Sequence, residues 1–84
     1  MTPDQIKTLV EAGISDARVA VQGDGGKYEI LVIADAFEGL SPVKRQQRVY
    51  SCISTEIADG SIHAVTIRAH TPAQWDEAQR RGLA

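Results

Sequence analysis

Apolar and polar positions recur along this chain in two periods, and the changes between them mark out six elements. Ile6, Leu9, Val10 and Ile14 fall at helical spacing while Asp4, Gln5, Lys7 and Glu11 face away, which predicts a first helix. Thr2-Pro3 supplies its cap and its first residue, and Gly13 its stop. From Ala17 to Gln22 the period drops to two, the mark of a half-buried strand. Gly23-Asp24-Gly25-Gly26 then reads as a hairpin turn into a second strand, Lys27 to Ala34. The unbroken run Ile30-Leu31-Val32-Ile33 places that strand centrally, with both faces at least partly covered.

Asp35 to Leu40 reads as a connecting loop whose Phe37 and Leu40 fold back onto the core. Ser41-Pro42 opens the main helix, which runs to Asp59-Gly60 with Val43, Val49, Tyr50, Cys52, Ile53 and Ile57 on its apolar side. A third strand, Ser61 to Ile67, follows and leaves through Arg68 to Pro72. Thr71-Pro72 begins a last helix with Trp75 and Ala78 inward and Asp76, Glu77, Arg80 and Arg81 wet. Gly82-Leu83-Ala84 reads as a frayed end. The order α-β-β-α-β-α, with a hairpin between the first two strands and a right-handed crossover between the last two, predicts an α+β domain with a mixed three-stranded sheet.

Bulk properties narrow the function more than the fold. Eighty-four residues make one domain, 1–84, with a modest core. No apolar run reaches the ~20 residues of a membrane span, and Met1-Thr2-Pro3-Asp4 has no signal pattern, so the expected location is cytoplasmic. The single Cys52 excludes an internal disulfide and a paired-cysteine zinc site, and its place in an apolar stripe predicts core packing. The net charge of −2 is unevenly spread: residues 1–40 are acidic, and residues 41–84 carry an excess of basic ones. An acidic whole argues against a strong general nucleic-acid binder.

Three features carry candidate chemistry. His63 stands in phase with Val65, Ile67 and Ala69, so alternation puts an imidazole at the head of a core row, whereas His70 falls on the opposite face as a surface or loop residue. Lys44, Arg45 and Arg48 crowd the start of the main helix, a basic face suited to an anion or an acidic partner. Gly23-x-x-Gly26 matches the letters of a nucleic-acid-clamping GxxG loop, but that loop joins two helices and this one joins two strands. No nucleophile–base pair, carboxylate pair or cofactor fingerprint is present, so an enzyme is not expected.

Taken in order, Phe37-x-Gly39-x-Ser41, Val43-Lys44-x-Gln46-Gln47-x-Val49-Tyr50, Ile57-Ala58-Asp59-x-x-Ile62-His63-Ala64-Val65 and Thr71-Pro72-x-x-Trp75 resemble the BolA family, in particular its bacterial IbaG branch. The resemblance covers nearly the whole chain. It implies a fold like a type II KH domain and a non-enzymatic partnership with a monothiol glutaredoxin around a shared [2Fe-2S] cluster, in iron–sulfur cluster handling or iron and stress signalling. In such a complex the glutaredoxin and a bound glutathione supply thiolates, and the histidine of the Ile-His-Ala motif, here His63, supplies a nitrogen. A second ligand is usually a His or Cys between the first two strands. This chain has Lys27 at or beside that position, and a protonated lysine has no lone pair to give. The competing expectation is a KH-like, nucleic-acid-binding transcriptional regulator working through Lys44, Arg45 and Arg48.

Overall fold

The computed structural model describes residues 1–82, so the expected frayed end lies partly outside the described residues. Helix α1 (Pro3–Gly13) begins where the sequence predicts. The Thr2 hydroxyl accepts from the Gln5 N–H at 3.2 Å and the Gln5 side chain accepts from the Thr2 N–H at 2.8 Å, a reciprocal capping box. Strands β1 (Arg18–Asp24) and β2 (Lys27–Ile33) pair antiparallel from Arg18↔Ile33 to Asp24↔Lys27. Strand β1 runs two residues further than the sequence suggests, β2 starts where expected and stops one residue short of Ala34, and only Gly25 and Gly26 are left to turn. Both have positive φ, +60° and +83°, the demand of a tight two-residue hairpin.

Asp35–Phe37 forms a single 3-10 turn that sinks Phe37 completely. The expected main helix is in fact two: α2 (Pro42–Cys52) and α3 (Ser54–Ala58). The break is at Ile53, whose φ/ψ of −125°/15° leaves the helical region and whose N–H bonds Tyr50 O, three residues back. Ile53 is fully buried, so the kink places a side chain that a straight helix would aim elsewhere. Two residues assigned to the apolar side are exposed: Val43 at 65% and Tyr50 at 41%. Strand β3 (Ala64–His70) pairs parallel with β2 from Lys27↔Ala64 to Ile33↔His70, giving the expected mixed sheet in the order β1-β2-β3. Helix α4 (Pro72–Arg80) repeats the capping box with Thr71 and Gln74.

One face of the sheet is covered. Val19, Tyr28, Ile30, Val32 and Ile67 pack with Ile6 and Val10 of α1 and with Val49, Ile53 and Phe37. On the other face Ala20, Gln22, Glu29, Thr66 and Arg68 are exposed, Leu31 is half-buried and only Ile33, at the end of β2, is buried, so that side of β2 is covered in part. The free edge of β3 is partly closed by Gln46, whose Nε2 donates to Ile67 O at 2.7 Å.

Candidate functional site

His63 does not head the core row. It is exposed and precedes β3 by one residue. The cause is local: the Gly26 carbonyl accepts from both the His63 N–H, at 2.7 Å, and the Ala64 N–H, at 3.1 Å. Two residues therefore stand against one, as in a bulge, and the inward phase slips by a position. Ile62 and Ile67 are both buried although five residues apart, a spacing that regular alternation forbids. Ile62 takes the core place that the sequence gives to His63.

The imidazole is left at the surface with its backbone pinned to the β1–β2 turn. No described residue hydrogen-bonds either ring nitrogen, so the ring is open to a ligand. Beside it a recess of about 270 Å³ is lined by Tyr50, Ile57, Ile62, Ala64 and Val65. The sequence reading missed Tyr50 as a neighbour of His63; its only signal was an aromatic residue on the stripe of α2. Lys27 is exposed and lies opposite Ala64, so the turn does approach the histidine, but with a lysine and glycines. Among the described residues no three His, Cys, Asp or Glu side chains come together to hold a metal ion.

The basic face is only partly assembled. Arg45 is half-buried, with Nε donating to Leu40 O at 3.0 Å and Nη1 to Gln74 Oε1 at 2.6 Å, so it ties α2 to α4. Lys44 and Arg48 remain exposed, one helical turn apart. At about 100° per residue they stand roughly 120° and 160° around α2 from Tyr50. The cations and the histidine thus occupy different sides of the helix. Cys52 is half-buried against Gly13, where an added Cβ would come within 2.5 Å of its Sγ. Burial raises its thiol pKa, against a smaller opposing effect of Arg48, which agrees with a packing role.

His70 is neither a loop residue nor fully exposed: it is the last residue of β3, half-buried against Trp75 with ring centroids 5.7 Å apart. Arg68 lies over the same indole at 5.8 Å. Burial lowers the His70 pKa, and the nearby charges of Arg68 and Arg45 lower it further. A proton is therefore held less tightly at His70 in the folded chain than in the unfolded one. Stability is expected to fall as pH drops below about 6.5, and this contribution levels off below the folded pKa. Denaturation midpoints followed by Trp75 fluorescence between pH 8 and pH 5 check this: His70→Gln should flatten the decline in that window, and an unchanged profile would refute the assignment.

The family model described as BolA-like protein matches residues 9–74. The chain is 43% identical over 82 residues to an uncharacterised protein of Acinetobacter guillouiae from the rpoN-murA intergenic region, covering 98% of this chain and 99% of that one. It is 40% identical over 75 residues to the acid stress protein IbaG of Escherichia coli K12, covering 89% of each. Among solved structures, a bolA protein homologue from Coxiella burnetii superposes with a TM-score of 0.80 at 31% identity, over 90% of this chain and 97% of that one.

Proposed function

Because the chain belongs to the BolA family, we propose that it is a non-enzymatic partner of a monothiol glutaredoxin, to which it contributes His63 as one ligand of a shared [2Fe-2S] cluster. The observation that supports this most is the state of His63: an exposed imidazole, hydrogen-bonded at neither ring nitrogen by any described residue, on a backbone held by two bonds to Gly26 O. The donor set fits a shared group rather than a resident one. Among the described residues no cluster of three or more His, Cys, Asp or Glu surrounds His63, so the other ligands would come from the partner and its glutathione. An imidazole in place of a thiolate raises the potential and the lability of such a cluster. The recess beside His63, lined by Tyr50, Ile57, Ile62 and Val65, would border the group on that side, and Lys27 would act as a charge on the rim rather than as a ligand. The likeness to an acid stress protein gives this reading a stress setting. Among the described residues no helix is long and apolar enough to cross a membrane, and the proposed place of work is the cytoplasm.

The nucleic-acid reading draws less support. Arg45 is engaged within the fold, and the α2–α3 junction, Ser51-Cys52-Ile53-Ser54, has no glycine to bring a backbone close to phosphates.

Titration into a cluster-loaded monothiol glutaredoxin homodimer, followed by visible circular dichroism, tests the proposal. The expected result is a new spectrum saturating at one-to-one and abolished by His63→Ala. That variant should fold normally, because an exposed side chain without hydrogen bonds contributes within about 0.5 kcal/mol. A wild-type spectrum that does not change would sink the proposal.

A further inference from the structure

Gly26 lies under the candidate ligand, 37 positions away in sequence, and it is buried although it sits in a hairpin turn. It has two relations to His63. Its carbonyl accepts the His63 and Ala64 N–H groups, which fixes the backbone. Its α carbon also carries the ring: a Cβ added at Gly26 would collide with His63 Cδ2 and stand 3.2 Å from Cγ and 3.4 Å from Nε2. With Cδ2 nearest and its two ring neighbours at nearly equal longer distances, the imidazole meets the turn edge-on. Nδ1 therefore points away from the turn. The neighbouring Gly25 shares the left-handed backbone, φ +60° against +83°, but an added Cβ there would meet nothing within 4 Å.

We infer that Gly26 is a positioning residue for His63: the bare α carbon of the turn is the seat that sets the imidazole's rotamer and so the direction of Nδ1. No contact from other described side chains hydrogen-bonds the ring into place, so the seat is what restrains an otherwise exposed side chain. Any side chain at position 26 must displace the ring, and position 26 cannot itself supply a second ligand without doing so. As regards cluster binding the inference rests on the function proposed above; the coupling between Gly26 and His63 does not.

The test separates the two. Stability is measured by denaturant unfolding for the wild type, Gly26→Ala, His63→Ala and the double variant, with Gly25→Ala as a control for left-handed backbone strain alone. Gly26→Ala is expected to lower the midpoint more than Gly25→Ala, and the excess to disappear in the His63→Ala background. If Gly26→Ala alone fails to fold, recovery of the folded signal in the double variant supports the seat, and no recovery overturns it. Equal costs of Gly26→Ala with and without His63 also overturn it. In the folded variants the His63 ring Cδ2 proton resonance should shift in Gly26→Ala and stay in place in Gly25→Ala; an unmoved resonance in both refutes the positioning role. In the glutaredoxin titration, Gly26→Ala should weaken formation of the new spectrum at least tenfold and Gly25→Ala no more than about twofold. Coupled stabilities with no wild-type spectral change would leave the seat standing and remove the cluster reading; a wild-type spectrum that Gly26→Ala forms equally well would do the reverse.

Discussion

Phe37→Ala is expected to destabilise the domain by about 3–5 kcal/mol. Phe37 is the largest side chain that is wholly inaccessible, and it is delivered to the core by a single 3-10 turn closed by Phe37 N–H to Ala34 O and Leu40 N–H to Phe37 O. The space left by its ring is bounded by strands and helices fixed by their own hydrogen bonds, so it cannot collapse without breaking them. A domain of this size has a total stability of roughly 4–13 kcal/mol, so the loss consumes a large share of it. Urea unfolding followed by far-ultraviolet circular dichroism checks the figure. Val43→Ala, on an exposed site, should stay within about 0.5 kcal/mol, and a Phe37→Ala loss below about 1 kcal/mol would show that Phe37 is not central to the core.

Gly23→Ala should cost nearly as much, for a different reason. Gly23 has φ +128°, a conformation that L residues rarely adopt, and it lies opposite Tyr28 in the hairpin. A Cβ there would strike the Lys27 carbonyl oxygen and come within 2.9 Å of the Tyr28 α carbon. These are backbone atoms with no rotamer in which to retreat. Relief requires the β1–β2 register to open beside Tyr28, whose ring is buried and whose hydroxyl donates to Met1 O at 2.6 Å. Backbone strain alone accounts for about 1–3 kcal/mol, and the collision brings the expected loss to about 3 kcal/mol or more. Gly39→Ala is the comparison. It too has positive φ, +77°, but its Cβ would meet nothing within 4 Å, so about 1–2 kcal/mol is expected. Equal midpoints for the two variants would show that conformation, and not the close approach of β2, governs the site.

The candidate site was half legible. His63 stood out because an imidazole interrupts an apolar strand pattern, and the structure makes it prominent by the opposite route, an irregularity that ejects it from the core. Periodicity describes one segment at a time and has no means of registering that one carbonyl on another segment accepts two successive N–H groups. The same limit explains Arg45. Three basic residues in five positions look like one face, yet Leu40 O and Gln74 Oε1 claim the middle guanidinium, and Gln74 belongs to an element 29 positions later. Tyr50 and Val43 were assigned inward because they are apolar, yet they stand about 100° and 120° around α2 from the buried Val49, so helical phase leaves both exposed and Tyr50 borders His63.

What the sequence determined by itself is what short-range physics sets. Thr2, Ser41 and Thr71, each followed by proline, start three helices because a hydroxyl three residues before an unpaired N–H satisfies it wherever the chain lies. Adjacent glycines that accept positive φ make the hairpin, and the order of periods sets the antiparallel and then parallel sheet. The tertiary structure alone decided which groups meet across the register. Pairing of Lys27 with Ala64 brings the turn under His63, puts Ile62 in the core and the imidazole outside, and makes the bare α carbon of Gly26 part of the site. That outcome depends on the docking of β3 against β2, a long-range event whose geometry no local pattern encodes.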